Sequence, residues 1–346
     1  MEQKIRSLQG LRGWAVLMVV LWHLNSLFPG NLPKLGDRGV EFFLLISGFL
    51  IARKCDLNQE SALADFRSSA AYTFRKLRGA YGLYLLPAVP VFLLDVLAGP
   101  VKIEAPLRQL LTYCTLTQSW IPDPDICWGV NRAGWFLPAI LFCYLVTPLV
   151  RRSVRRFGAR PVLFACLALQ VVSELLAKRF LPLFGYEWLI YLCPASRVLD
   201  FTLGFCAWSL FAAQRGRLPA RVQDVLFAVI VAALAALSLL RPVRLKYVLF
   251  HPFEIAVLLL AVSERSRLAN LLFCTRPAVW LGGLSRIVFF THVPVIRLTG
   301  MVWRRLFGPF HAFPQWIVSL LAVVLAAMAA DRFLLWLRRR AGRGKA

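Results

Sequence analysis

Long apolar runs separated by short basic segments set the pattern of the chain. They fall at residues 11–28, 35–51, 80–98, 134–150, 161–177, 198–213, 222–240, 248–262, 287–303 and 314–337. Each is close to the length that crosses about 30 Å of hydrocarbon, so the pattern predicts an all-α polytopic membrane protein with about ten transmembrane helices in one bundle. The run at 35–51 is the least clearly marked by hydropathy alone. No internal repeat, low-complexity tract or soluble appendage stands out, and residues 1–346 read as one integral-membrane domain. The connecting segments include a basic loop at 53–79, a long loop at 99–133 and a basic tail at 338–346.

Composition supports the same class. Hydrophobic residues make up 59% of the chain and charged residues 17%, with a mean hydropathy of +0.65, whereas a soluble domain carries about 25% charge. These proportions exclude a water-soluble core and shell, a disordered chain, a secreted disulfide scaffold and a coiled coil. The net charge of +24 would suggest nucleic-acid binding in a soluble protein, but here its distribution is what matters. With ten spans both termini share one side. That side gathers about 24 basic residues against about 13 in the opposite loops, which places it in the cytoplasm and leaves no role for nucleic acid. The first span begins near the N-terminus with no small-residue cleavage site after it, as expected of a retained helix. The eight cysteines lack metal-ligand spacing. Most read as apolar fillers, and Cys114 and Cys127 share the 99–133 loop as the one pair placed for a disulfide.

Ionisable residues inside spans are costly unless paired or facing water, so each is a functional candidate. Arg12 and His23 occupy the first span, eleven residues apart. At 100° per residue they share one helix face, separated by a rise of about 16 Å. An arginine near the cytoplasmic end can hold an anion, and a histidine further out can take a hydroxyl proton near neutral pH. A phosphorylated pantetheine thioester, with its acyl group roughly 15–20 Å from its phosphates, has a form that would touch both. The plainer reading makes Arg12 a snorkelling residue and His23 an interhelical hydrogen-bond partner. Glu41, entering the second span from outside, sits at a depth comparable to His23, and is expected either to orient its imidazole or to face solvent as an interfacial carboxylate. Ser47-Gly48 suggests close helix packing. Arg75, Lys76 and Arg78 in the basic loop suit phosphates, the topology rule or anionic lipid headgroups. Arg197 and Asp200 form an i, i+3 pair with a structural role as its first reading. His292, five residues into the 287–303 run from the cytoplasmic side, lies on the wrong half for an external acceptor.

Two motifs carry a resemblance to a known family. Arg6-Ser-Leu-Gln-Gly-Leu-Arg12 runs through ten further residues to His23, and Gly39-Val-Glu-Phe-Phe-Leu-Leu-Ile-Ser-Gly-Phe-Leu-Ile51 follows in the second span. Together they resemble the integral-membrane acyltransferase family 3, membrane O-acyltransferases of surface glycans, over nearly the whole chain. Weaker echoes are Phe74-Arg75-Lys76-Leu77-Arg78 with Tyr84, Trp135 with Tyr144 and Pro148, Arg197 to Gly204, and Leu281 to Ser285 with His292 and Pro294. The departures are Glu41 where the family has Asp, Ile140 where it often has Glu, and Arg286 after Ser285 where it usually has Tyr.

The resemblance implies a bacterial inner-membrane enzyme with both termini cytoplasmic, which takes an acyl group, in the first instance acetyl, from acyl-CoA and passes it to a hydroxyl of a lipid-linked or surface polysaccharide. On this reading His23 and Glu41 are catalytic, Arg12, Arg75, Lys76 and Arg78 hold the donor, and Trp128, Arg132, Trp135 and Arg197 bind the acceptor. No metal is expected, and the partners are acyl-CoA, the sugar acceptor and membrane lipids. A rival from another class is a transporter or flippase for a lipid-linked glycan, whose intramembrane charges would line a path. A structural or sensory membrane protein would leave the shared face of Arg12 and His23 unexplained.

Overall fold

Each apolar run is helical over most of its length in the structure, a computed structural model that describes residues 5–27, 35–56, 63–99, 102–214, 218–240, 247–308 and 312–343. Lys4, Arg215, Arg217 and Lys345, which entered the basic count, lie outside the described residues. In chain order the helices are α1 (Arg6–Leu27), α2 (Gly36–Asp56), α3 (Phe66–Leu85), α4 (Ala88–Ala98), α5 (Pro106–Cys114), α6 (Pro124–Trp128), α7 (Phe136–Leu145) and α8 (Thr147–Phe157). There follow α9 (Ala159–Phe180), α10 (Leu183–Glu187), α11 (Pro194–Gln214), α12 (Ala220–Leu240), α13 (His251–Ser263), α14 (Arg267–Phe273), α15 (Arg276–Phe307) and α16 (Ala312–Arg343). No strand occurs among the described residues, and the protein is an all-α polytopic membrane protein.

Five helices are long and apolar enough to cross a membrane unaided: Phe66–Ala98, Ala159–Phe180, Ala220–Leu239, Arg276–Phe307 and Pro314–Leu337. Two bent pairs, α7 with α8 at 52° and α10 with α11 at 42°, raise the number to seven. Proline explains both bends, because Pro148 and Pro194 enter the second member near its first turn, where their missing N–H removes a ladder bond. Length and composition therefore do not reach the expected ten. Helices α1 and α2 carry Arg12, His23, Arg38 and Glu41, which lower their apolarity, and α13 has only 13 residues.

Helix starts differ most from the sequence reading. The basic loop expected at 53–79 is in large part helix: Asp65 caps α3 by accepting from the Ser68 backbone N–H at 2.7 Å while the Ser68 hydroxyl accepts from the Asp65 N–H. Arg75, Lys76 and Arg78 are thus fixed on a helix. Likewise α15 starts at Arg276, eleven residues before the apolar run, with Pro277 in its first turn.

The core is a layered bundle in which α1 packs along α15 and α2, and α2 along α11. Glycines permit these approaches. A methyl group on Gly48 would lie 1.9 Å from the Phe201 carbonyl oxygen, and one on Gly282 would lie 1.7 Å from the Gln9 carbonyl oxygen. The packing expected of Ser47-Gly48 is therefore seen at α2 and α11. The loop at 99–133 folds back onto the bundle through α5 and α6. Its anchor is a stacked pair, Tyr84 and Tyr113 with ring centroids 4.1 Å apart, in which each hydroxyl donates to the other's backbone oxygen at 3.0 Å. All eight cysteines are free thiols, and the Cys127 thiol donates to the Gln118 and Ile121 carbonyl oxygens instead of joining Cys114.

Candidate active site

Two cavities lie one above the other along a single face of α1. The proximal one, about 670 Å³, opens on the side where α1 begins. It is walled by Ile5, just before α1, and by Leu8, Gln9 and Arg12 of α1. Helix α2 contributes Ser47, Arg53 and Lys54, α3 contributes Tyr72, Arg75 and Lys76, and α15 contributes Arg286. Six of its lining residues are cations and none is acidic. Lys54, Arg75 and Lys76 all stand over the Tyr72 ring, at 5.0, 5.4 and 5.1 Å from its centroid. So many like charges around one concavity repel each other unless an anion sits among them. Arg53, Lys54 and Arg286 are additions that the sequence reading did not make. Arg78 is exposed and does not line the cavity.

The distal cavity, about 140 Å³, lies toward the other end of α1. Val19, Trp22 and His23 wall it, together with Trp128, Arg132 and Trp135 from the folded loop and its exit. Asp37, Glu187, Tyr191, Tyr247 and Phe289 complete it. The Arg132 guanidinium rests over the Trp128 ring at 5.3 Å, and Trp135 packs on Tyr191 at 4.9 Å. Four of the expected residues, His23, Trp128, Arg132 and Trp135, thus meet at one concave surface. Aromatic planes flanked by two carboxylates and a guanidinium provide what a sugar ring uses: an apolar face to stack on and polar groups for its hydroxyls.

The cavities come close to each other. On α1 the last proximal residue is Arg12 and the first distal one Val19, a rise of about 10 Å. Phe289, on the distal wall, packs with Phe43 of α2 and Phe136 of α7, their centroids 4.8 to 6.2 Å apart, and Phe43 falls on α2 between Val40 of the distal cavity and Ser47 of the proximal one.

Glu41 lines neither cavity. It lies on the α2 face that turns to α11, seven residues from Gly48 and therefore about 20° from it around the helix. There it is fully buried and paired with Arg38 at 2.8 Å. His23 is instead placed with its Nδ1 2.9 Å from the Val19 carbonyl oxygen and 3.1 Å from Nε2 of His292. Arg38 also reaches Glu254 at 3.5 Å, and His251 joins Glu254 at 2.9 Å to Asp200 at 3.1 Å. Arg197 closes this network through Asp200 at 2.6 Å and donates to the Ile190 carbonyl oxygen, so it sits behind the Tyr191 wall and lines neither cavity. The structural reading of the Arg197–Asp200 pair describes its contacts. Glu41, His251 and Glu254 bring ligand atoms within 4.8 Å of one another, but the Arg38 guanidinium already supplies the positive charge at the two carboxylates.

A broken buried pair costs about 3–5 kcal/mol because the remaining charge is left uncompensated. Glu41→Ala is therefore expected to lower the thermal unfolding temperature by several degrees while the folded fraction keeps a near-normal turnover number. A kcat loss of about a hundredfold at unchanged thermal stability would return Glu41 to the chemistry.

His292 is the residue the sequence placed wrongly. Because α15 begins at Arg276 rather than Ile287, His292 is in mid-helix, fully buried, with its ring 4.8 Å from that of His23. The signal was present in Arg276-Pro277, a proline in a first turn, but the polar Gly282 to Arg286 stretch disguised the helix as a loop.

A family model described as an acyltransferase domain matches residues 5–332. The chain is 28% identical over 229 residues to acyltransferase MdmB of Streptomyces mycarofaciens, covering 58% of this chain and 56% of that protein. It is 25% identical over 329 residues to YrhL of Bacillus subtilis, a candidate peptidoglycan O-acetyltransferase, covering 85% of this chain and 49% of that protein. It is 24% identical over 323 residues to BcsY of Komagataeibacter xylinus, a candidate membrane-bound transacylase, covering 85% and 74%. The chain thus spans about half the length of the first two of these relatives. No solved structure matches it.

Proposed function

Because the chain belongs to the integral-membrane acyltransferase 3 family, we propose that it carries an acyl group, in the first instance acetyl, from cytoplasmic acyl-CoA to a hydroxyl of a lipid-linked or extracytoplasmic polysaccharide sugar. The observation that carries this reading is the pair of cavities on one face of α1, the first lined with cations and the second containing His23. The excess of basic residues on the side where α1 begins supports a cytoplasmic face there, in a bacterial inner membrane with both termini cytoplasmic.

The proximal cavity suits the donor. Arg12, Arg53, Lys54, Arg75, Lys76 and Arg286 offer a cation set for several phosphates. The pantetheine arm would extend along α1, past Phe43, Phe136 and Phe289, toward His23. In the distal cavity Trp128 and Trp135 would stack on the sugar and Arg132 would bind its oxygens. His23 then takes the acceptor's hydroxyl proton as the oxygen attacks the thioester carbonyl. A C–O bond forms, the C–S bond breaks, and the leaving thiolate recovers the proton from His23. In the alternative order His23 carries the acyl group itself and hands it on; the residue set is the same.

The test is mass spectrometry of surface glycans from a deletion strain carrying the wild-type gene or an empty vector. Loss of O-acyl groups with normal export, restored by the gene, is the expected result. Loss of export with normal acylation would instead select a glycan transporter.

A further inference from the structure

We propose that His292 is the positioning residue for His23, holding its ring through the Nδ1–H so that Nε2 is the nitrogen that accepts the hydroxyl proton. The inference rests on the acyl-transfer reading and adds to it a partner where the sequence pointed to Glu41.

The assignment follows from which atoms can donate. His23 Nδ1 lies 2.9 Å from the carbonyl oxygen of Val19, one turn earlier on α1. A carbonyl oxygen only accepts, so Nδ1 of His23 carries the proton, and in the neutral ring Nε2 carries none. His292 repeats the arrangement on α15, with Nδ1 3.0 Å from the carbonyl oxygen of Val288. Its Nδ1 is therefore also the donor, and its Nε2 is an acceptor. That acceptor lies 3.1 Å from the Nδ1 of His23. The Nδ1–H of His23 is consequently shared between the Val19 oxygen and the His292 nitrogen, and both fix the same tautomer.

The two acceptors differ in what they add. Val19 belongs to the same helix turn, so it holds the ring to α1 alone. His292 ties it to α15, where the register is locked by the close contact between Gly282 and the Gln9 backbone. Packing of Phe289 against the His292 ring, with centroids 6.0 Å apart, holds the second histidine in turn. When His23 takes the hydroxyl proton on Nε2, its Nδ1–H becomes a stronger donor, and the His292 lone pair is already aligned with it. Asp or Glu fills that role in other acid-base pairs. Here the carboxylate of Glu41 is held by Arg38, and a neutral imidazole stands in the place of the orienting group.

The test uses three variants of the full-length protein in lipid. In His292→Gln the amide oxygen reaches the position of Nε2 and still accepts. In His292→Asn the shorter side chain fills the Nδ1 position only, and in His292→Leu the volume is kept without an acceptor. Partners that orient a histidine are worth about 10–100-fold, so Asn and Leu are expected to lose that much kcat with the KM for acetyl-CoA unchanged, while Gln stays within a few-fold of wild type. With only four histidines in the chain, 15N solid-state spectra of histidine-labelled protein can be assigned by single variants. His23 is expected to be protonated on Nδ1, with a resonance that moves in Leu and Asn and is retained in Gln. Wild-type kcat in the Leu variant, equal losses in Gln and Leu, or a His23 proton on Nε2 would each overturn the proposal. Failure of the acyl-transfer reading has a different signature: the wild-type protein would transfer no acetyl group to acceptor while its spectrum still showed the His23–His292 hydrogen bond.

Discussion

Replacing His23 with glutamine is expected to lower kcat for acyl transfer by about 10²- to 10⁴-fold, the range over which a positioned proton acceptor contributes to a transfer step. Glutamine keeps a polar side chain of similar size that can still lie beside the Val19 oxygen and the His292 ring, so the packing of α1 against α15 should survive. The proximal cavity draws on Ile5 and, from α1, on Leu8, Gln9 and Arg12, all more than two turns away, and should still bind the donor. The measurement is transfer of radiolabelled acetyl groups to acceptor in proteoliposomes, alongside equilibrium binding of desulfo-coenzyme A. A large fall in kcat with unchanged binding is the expected pair of results. Retention of more than half the wild-type rate would remove His23 from the chemistry, and loss of binding would mean that the substitution has disturbed α1 itself.

Much of the site is legible in the sequence because it depends on helical periodicity. Arg12 and His23 share a face for the arithmetic reason that eleven residues make about three turns, and the structure puts each at its own cavity. Trp128, Arg132 and Trp135 came in through the family resemblance; the first two lie in the long loop and the third just after it, and all three line the distal cavity with His23. What periodicity cannot supply is the partner across a helix interface. The depth of Glu41 matched that of His23, yet depth says nothing about azimuth, and Arg38, three residues earlier on the same helix, holds the carboxylate on the α11 side. His292 was lost for a related reason. Its depth was counted from the start of the apolar run, whereas α15 starts eleven residues sooner, with Arg276, Pro277, Gly282, Gly283, Ser285 and Arg286 lowering the hydropathy of its first three turns. The same bias hid Arg286. The count of spans suffers in the opposite direction, since Arg12 and His23 on α1 and Arg38 and Glu41 on α2 lower the apolarity by which spans are recognised.

Arg12→Leu is expected to raise the KM for acyl-CoA by about ten- to a hundredfold, with a smaller effect on kcat. A hydrogen bond to a charged group is worth about 1.5–3 kcal/mol, and Arg12 contributes more than an average member of the cation set because of its depth. The other cations, Arg53, Lys54, Arg75, Lys76 and Arg286, come from α2, α3 and α15, while Arg12 alone comes from the helix that also carries His23. An anionic group held at Arg12 is therefore registered to His23 along one rigid element, with a rise of about 16 Å between them. Leucine preserves the apolar stem and the fit of α1 against its neighbours but leaves that register unset. Arg12→Lys separates charge from geometry. Lysine keeps the positive charge yet lacks the planar fork, so it should recover part of the donor affinity and less of the rate. Arg78→Leu serves as the control: exposed on α3 and outside the cavity, it should leave both constants near wild type. Titration with salt gives an independent check, because donor binding through several cations should weaken steeply as ionic strength rises, and less steeply in the Arg12→Leu protein. Equal KM values for wild type and Arg12→Leu, or a salt dependence that the substitution leaves unchanged, would move the phosphates away from this cavity, and with them the inner end of the proposed path.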